Sequence, residues 1–224
     1  MRIDVISIFP ELFDSIIDIS MWKKARENGL FLCLWNLRDF SKSKQYKVDA
    51  PPFGGGAGMV LMPEPLINAI EFLKSSSTSV IELSARGRRL NQSLAEYFSK
   101  KEHIVLICGH YEGIDERVSS VFDERISIGD FVVTGGEVPA MLFIEAVMRL
   151  LPGVLGNEDS HKDESFYSGL LEYPQYTRPR TYMGHKVPNV LLSGNHNDVL
   201  KWRKKQAYKY TKKYRPDLLK EGGM

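Results

Sequence analysis

The 224-residue chain has 43% hydrophobic residues, which is typical of a soluble globular protein with a sizeable core. No apolar run approaches the ~18–20 residues needed to cross a bilayer, so we expect no membrane-spanning segment. The two cysteines, Cys33 and Cys108, form neither a CxxC pair nor a zinc-ligand spacing and indicate a reducing, cytoplasmic setting. The length fits one large domain, with or without a small appendage.

The net charge of +2 conceals an uneven distribution along the chain. Residues 178–220 contain twelve Lys and Arg but two acidic residues, so this segment carries +10 and the rest of the chain −8. A basic tail on an acidic body favours a polyanionic partner that is held by the tail. The alternative is a solvated charged surface with no partner, and the charge alone leaves both interpretations open.

Strand-like and helix-like segments alternate over the first 150 residues. Strands are predicted at residues 3–9, 30–37, 80–83 and 104–108, with further extended segments at 125–128 and 131–134. Helices are predicted at residues 10–19, 63–73, 94–100 and 139–151, and a loop at residues 39–58. This alternation predicts an α/β domain with a mainly parallel sheet.

The character of the sequence changes after Pro152. Residues 156–165 are polar and aperiodic and predict a mobile linker, and residues 169–197 predict irregular structure. Residues 198–214 predict a helix with Asp198 as its N-cap. The side of this helix that we expect to face a core contains Leu200, Ala207, Tyr210 and Tyr214. The other, mainly basic side contains Lys201, Lys204, Lys205, Tyr208 and Lys212.

Three of the predicted strands end in loops that contain glycine, at residues 83–87, 108–117 and 127–136. Open α/β sheets bind ligands at the carboxyl ends of their strands, where glycine lets the backbone approach a ligand closely. Neither GxGxxG after the first strand nor GxxxxGK[ST] occurs, which argues against a Rossmann dinucleotide site and a P-loop. Each loop taken alone is also explained by a tight turn, but three in one sheet favour a ligand site.

A fourth glycine cluster, GGGAG, occupies residues 54–58. It is either a flexible flap or an anion-binding loop whose backbone amides approach phosphate. Under the second interpretation Gly55 and Gly56 are candidate contacts to RNA.

Six motifs together make the chain similar to a known family. They are PFGGGAGM at residues 52–59, CGHYEGIDER at 108–117, SIGDFVVTGGEVPA at 127–140, LPGVLG at 151–156, YTRP at 176–179 and WRKKQ at 202–206. They cover nearly the whole chain in order and with family-like spacing. On these residues the chain resembles the bacterial tRNA (guanine(37)-N1)-methyltransferases, the TrmD family of the SPOUT class.

The resemblance implies a trefoil-knotted α/β methyltransferase fold with a small helical C-terminal domain that grips tRNA. The alternation of elements could not reveal a knot, because knots are rare enough to be excluded by default. The expected division is a catalytic domain at residues 1–156, a mobile linker at 157–168 and a tRNA-binding domain at 169–224. The resemblance also implies an obligate homodimer with its active site at the subunit interface.

The methyl donor implied by the resemblance is S-adenosylmethionine, which the three glycine loops would cradle. Carried over by position, the contacting residues are Leu83, Ser84, Gly87, Gly109, Tyr111, Glu112, Ser127, Ile128, Gly129, Asp130, Phe131, Val132, Val133, Gly135, Gly136 and Pro139.

The implied reaction sets clear chemical requirements. Guanine N1 carries a proton at neutral pH, so methylation needs a carboxylate base and a cation or donor near O6. The family's base is an aspartate directly before Ser-Phe, and Glu164 occupies that position here, with Asp163 as the second candidate. Arg149 resembles the family's essential arginine, although without the resemblance it is better explained as a partner of a helix dipole. Tyr111 is expected to stack on the purine.

Besides Gly55 and Gly56, the residues expected to contact RNA are Arg178, Lys201, Lys204 and Lys205. The implied substrate is tRNA with guanosine at positions 36 and 37. The resemblance also implies that magnesium can assist catalysis. The sequence itself shows no metal-ligand set, because His110, His161 and His185 have no spacing typical of one.

Two other functions fit parts of this pattern. A methyltransferase of the same fold could act on a ribose 2′-hydroxyl, and would need no carboxylate aimed at a base. A non-catalytic RNA-binding module would use only the basic tail and would not bind S-adenosylmethionine.

Overall fold

The computed structural model describes residues 1–155 and 164–221. The chain divides into two compact units, Met1–Gly156 and Asn157–Met224. Within the described residues, no helix has the length and apolar character that crossing a membrane requires.

A five-stranded parallel sheet forms the centre of the first unit, as the sequence predicts. The strands of this unit are β1 (Arg2–Ser7), β2 (Phe31–Asn36), β3 (Asp49–Ala50), β4 (Val60–Leu61), β5 (Thr78–Arg89), β6 (His103–Cys108) and β7 (Glu124–Ser127). The sheet order is β2-β1-β6-β5-β7, and β3 and β4 form a separate antiparallel pair.

Helices cover both faces of this sheet. They are α1 (Ser20–Glu27), α2 (Pro63–Leu73), α3 (Gln92–Ser99) and α4 (Glu137–Met148). Successive strand residues point to opposite faces, so Val5 and Leu106 pack in one buried cluster whereas Ile6 and Ile107 pack in another. The first cluster includes residues of α1, α3 and α4, and the second includes residues of α2. The mainly apolar strands are therefore explained by burial on both sides.

Some predicted elements differ from the structure. The helix expected at residues 10–19 is wrong, since only the 3-10 helix Pro10–Phe13 forms and the α-helix begins at Ser20. The backbone N–H groups of Ile16 and Ile17 both donate to Phe13 O, which closes turns without a continuous α-helix.

Three further differences lie at the ligand edge of the sheet. Strand β5 extends well past residue 83 to Arg89, with a shift in register between Leu83 and Arg88. Residues 131–134 form a loop instead of an extended strand. Helix α4 begins at Glu137 rather than at Pro139, because the third helical position also lies in the first turn, where proline is tolerated.

The second unit contains a short antiparallel pair and two helices. These are β8 (Thr181–Tyr182), β9 (His185–Lys186), α5 (His196–Tyr214) and α6 (Leu218–Glu221). The predicted N-cap, Asp198, is wrong, since the Asn195 side chain accepts hydrogen bonds from the backbone N–H groups of Asn197 and Asp198.

The expected core side of α5 is only partly correct. Ala207 and Tyr210 are half-buried, but Leu200 and Tyr214 are 50% and 57% exposed. The fully buried residue of this helix is Thr211, a polar residue that the apolar pattern did not select.

A buried polar network lies toward the amino ends of the strands, away from the glycine loops. Asp4 is fully buried and accepts hydrogen bonds from Arg2 and from Trp35 Nε1, and its Oδ2 lies 2.6 Å from His103 Nε2. Burial alone would raise the pKa of Asp4, but these hydrogen bonds outweigh burial and hold the pKa below its ordinary value. The network therefore stabilises this edge of the sheet with Asp4 ionised.

Candidate active site

The three glycine loops meet in one cavity at the carboxyl ends of β5, β6 and β7. These strands are neighbours or near neighbours in the sheet, so their ends share an edge although the loops are far apart in sequence. The cavity measures about 240 Å³. Its lining comprises Glu82, Leu83, Ser84, Ala85, Gly109, His110, Tyr111, Glu112, Gly113, Ile114, Ile126, Ser127, Ile128, Gly129, Phe131, Val132, Val133, Thr134, Gly135, Gly136 and Pro139.

Fourteen of the sixteen residues expected to contact a cofactor line this cavity, and Gly87 and Asp130 do not. A Cβ atom at Gly87 would lie 2.5 Å from the backbone of Arg125 and Ile126, so this glycine lets β5 and β7 approach each other. The carboxylate of Asp130 pairs with Arg89 at 3.1 Å, and both side chains are well exposed.

The glycines of the cavity serve two different physical purposes. A Cβ at Gly136 would lie 2.6 Å from Cys108 Cα, and its N–H donates to Gly109 O at 2.7 Å, so Gly136 is required for close backbone packing. A Cβ at Gly109 would meet only Ile114 and Leu83, at 3.8 Å or more. A side chain at Gly109 would therefore meet the protein only in ordinary van der Waals contact, so close backbone packing does not require this glycine.

Beneath the cavity lies a buried arrangement that the sequence analysis missed. Ser7 Oγ donates to Glu137 Oε1 at 2.6 Å, and Glu137 Oε2 lies 3.7 Å from His110 Nδ1, too far for a hydrogen bond. A Cβ at Gly135 would collide with both Glu137 and His110. Ser7 and Glu137 are 130 residues apart, so no local pattern could have indicated their contact.

Tyr111 stands at the mouth of the cavity in a left-handed backbone conformation, with φ +58°. Its ring is 43% exposed and contacts the ring of His110 edge-on. Partial burial raises the pKa of Tyr111, and the neighbouring Asp49 carboxylate raises it further. The phenol therefore stays protonated at neutral pH and presents an exposed ring face suited to stacking on a base.

The fourth glycine cluster is joined to the same edge. Glu112 N donates to Met59 O at 3.0 Å, and the Glu112 side chain fills the space where Gly58 would carry a Cβ. Gly55 and Gly56 lie farther out on this loop, are exposed, and have positive φ angles. Their backbone is accessible to a ligand that approaches the cavity from solvent.

The expected catalytic residues fall on both units. Arg149 caps the carboxyl end of α4 and is half-buried. Glu164 is half-buried in the second unit, and Asp163 lies outside the described residues. The linker expected at residues 156–165 also lies largely outside them, although Ser165 accepts a hydrogen bond from Glu172 N at 2.9 Å.

The expected RNA contacts of the second unit are all exposed: Arg178, Lys201, Lys204 and Lys205. Across residues 1–155 and 164–221, no three His, Cys, Asp or Glu side chains are grouped so that they could hold a metal ion.

A parallel α/β sheet with a glycine-lined cavity at its carboxyl edge defines a class of proteins that bind small ligands at strand ends. Comparison with known proteins specifies the family within that class. Residues 1–221 match the family model described as tRNA (Guanine-1)-methyltransferase TrmD, and the chain belongs to this family.

Curated relatives support the same assignment over nearly their full lengths. A tRNA (guanine-N(1)-)-methyltransferase of Dictyoglomus turgidum is 54% identical over 99% of this chain and 91% of its own length. Proteins of the same name from Carboxydothermus hydrogenoformans and Clostridium perfringens are 51% and 50% identical, covering 100% and 99% of this chain and 89% and 94% of their own lengths.

Proposed function

We propose that this chain transfers a methyl group from S-adenosylmethionine to N1 of guanosine 37 in tRNA that carries guanosine at position 36. The observation that carries the proposal is the cavity at the ends of β5, β6 and β7, most of whose lining lies in the motifs at residues 108–117 and 127–140 on which the resemblance rests. The donor supplies an electrophilic methyl group on its sulfonium. The protein must bind the donor, orient the guanine and remove the N1 proton.

The lining of the cavity fits S-adenosylmethionine. Gly109 lines the cavity without a side chain, which lets a ligand lie close to the backbone, and apolar side chains such as Val133 and Ile126 offer surface to an adenine. Glu112, exposed at the rim, supplies negative charge for the sulfonium. We assign donor binding to this cavity.

The trace around the cavity also supports the knotted SPOUT fold. After β7 the chain crosses the end of β5 and returns to the end of β6, where Gly135 pairs with His110 and Gly136 packs on Cys108. We propose that this return forms part of the knot implied by the resemblance.

Acid–base chemistry is assigned to Glu164 and Arg149. The Glu164 carboxylate accepts the N1 proton, and the Arg149 guanidinium stabilises the negative charge that develops on O6. Tyr111 stacks on the purine ring. Asp163 is the alternative base, and its position directly before Glu164 makes the two carboxylates competitors for one proton.

A homodimer with its active site at the subunit interface completes this proposal. Its support is a run of exposed apolar side chains on the loop after β7 and on α4: Val132 at 91% exposure, Val138 at 53% and Leu142 at 49%. Apolar surface of this kind next to a ligand cavity is typical of a protein interface. In the dimer, Arg149 of one subunit and Glu164 of its partner serve one site.

The second unit is assigned to tRNA. Helix α5 exposes Lys201, Lys204 and Lys205 on a segment with high positive charge, which suits contact with backbone phosphates. Gly55 and Gly56 provide backbone contacts close to the cavity. We assign residues 1–156 to donor binding and catalysis, residues 169–224 to most of the tRNA contact, and residues 157–168 to a linker that contains Glu164.

The test uses enzyme, labelled S-adenosylmethionine and unmodified tRNA transcripts that differ only at positions 36 and 37. Nucleoside digestion should yield N1-methylguanosine only from transcripts with guanosine at both positions. A 2′-O-methylated nucleoside would instead assign the chain to ribose methylation. Absence of S-adenosylmethionine binding in a calorimetric titration would leave only an RNA-binding module.

A further inference from the structure

The residues that directly follow Glu164 form a compact turn held by its own backbone. Phe166 adopts φ +76°, and its N–H donates to Leu170 O at 2.7 Å. Ser165 Oγ accepts a hydrogen bond from Glu172 N at 2.9 Å. This turn, residues 165–172, therefore has one defined shape rather than that of an extended linker.

Two side chains hold the turn in place, Thr211 in α5 and Arg215 directly after it. The buried Thr211 hydroxyl accepts a hydrogen bond from Leu171 N at 2.8 Å and donates to Ala207 O at 2.8 Å, so both of its bonding directions are fixed. The Arg215 guanidinium lies 5.6 Å from the centre of the Phe166 ring. The turn is thus attached to α5 by a hydrogen bond and to Arg215, the residue that directly follows α5, by a cation–π contact.

The last turn of α5, where Thr211 lies, does not need a threonine in order to form. Threonine loses side-chain freedom in a helix, and its bond to the carbonyl four residues earlier does not stabilise the helix. The hydroxyl at position 211 instead satisfies the N–H of Leu171, which no helix or strand hydrogen bond satisfies. The Thr211 hydroxyl therefore serves the turn that carries Glu164.

We propose that Thr211 is a positioning residue for methyl transfer. Its hydroxyl attaches the turn that directly follows Glu164 to the helix that exposes Lys201 and Lys204. The Glu164 carboxylate and a tRNA bound to α5 would then move as one body. The inference rests on the proposed function, in which Glu164 is the base and α5 holds tRNA. It adds that recognition of tRNA by the helix sets the location of the base.

Two substitutions separate the hydroxyl from the volume of the side chain. Thr211→Val keeps the shape and removes the acceptor for Leu171 N, and Thr211→Ser keeps the acceptor. We expect Thr211→Val to lower the single-turnover rate at saturating donor and tRNA by roughly 10- to 100-fold, as small misplacements of reacting groups do. The affinity for tRNA should be unchanged, and Thr211→Ser should retain the wild-type rate.

A double-mutant cycle tests whether Thr211 acts through Glu164. Thr211→Val should cause no further loss in a Glu164→Gln background, because the group it positions has already been disabled. An equal loss in both backgrounds, or weakened tRNA binding at an unchanged rate, would overturn the proposal and leave Thr211 as a stabilising residue only. If Glu164→Gln alone keeps the wild-type rate, the base assignment is wrong and the positioning role is wrong with it.

Discussion

At the scale of single residues, substitutions at Gly109 and at Gly136 distinguish ligand contact from backbone packing. The Cβ of Gly109→Val would be in ordinary van der Waals contact with Ile114 and Leu83, at 3.8 Å or more, so we expect the fold to tolerate the substitution. In a liganded cavity the added atoms overlap the donor, and overpacking costs about 1–3 kcal/mol. We expect S-adenosylmethionine affinity to fall roughly 5- to 150-fold by calorimetry, with little change in the melting temperature.

The matched control for this prediction is Gly136→Ala. Its Cβ would lie 2.6 Å from Cys108 Cα, so it should lower the melting temperature even without donor. Unchanged donor affinity in a folded Gly109→Val protein would contradict the placement of the donor.

The identity of the base is a second question at this scale. Glu164→Gln keeps the shape of the side chain and removes its basicity, and loss of a positioned base typically costs ~10²–10⁴-fold in rate. We expect a fall of that size in single-turnover methyl transfer, nearly unchanged donor affinity, and partial recovery at higher pH, where solvent removes the N1 proton more readily. Asp163→Asn is the control and should cost far less. The reverse result would make Asp163 the base.

At the scale of elements, helix α5 combines an exposed basic side with the buried Thr211. Replacing Lys201, Lys204 and Lys205 with alanine should weaken tRNA binding and lower the slope of log affinity against log salt by roughly 2–3, because each lost phosphate contact removes about 0.7–0.9 from that slope. Donor affinity should not change. Filter binding at several salt concentrations provides the measurement.

Exposed lysines of the first unit provide the control for the basic helix. Lys23, Lys74 and Lys100 are exposed and do not line the cavity, so their joint replacement changes net charge equally. If both triple variants behave alike, the effect of α5 is one of net charge and the helix is a solvated surface.

At the scale of the whole molecule, the proposed dimer places Arg149 and Glu164 of different subunits in one site. Arg149→Ala and Glu164→Gln proteins should each be nearly inactive alone. In exchanged heterodimers, one of the two sites regains both residues, so activity should recover to roughly half of the wild-type value. Methyl transfer by differently tagged, purified heterodimers measures this. No recovery would show that both residues act within one chain.

Local sequence patterns determined most of the strands and helices of the first unit and the location of its glycine loops. The strands β1, β2, β6 and β7 and the helix Pro63–Leu73 were predicted to within about two residues at either end, because burial on one or both faces leaves a periodic apolar signal. The glycine loops were found because glycine after a strand is a local feature. Family motifs then supplied the function, which periodicity could not.

Only the tertiary structure decided how these pieces combine. The sheet order brings the ends of β5, β6 and β7 to one edge. Packing in three dimensions also places Gly87 against the backbone of β7 and brings Ser7 within hydrogen-bond distance of Glu137. The positioning role proposed for Thr211 likewise depends on its hydrogen bond with Leu171, 40 residues earlier in the chain. Such contacts depend on chain segments that are distant in sequence, so each residue's neighbours, and hence its physical purpose, are absent from any local pattern.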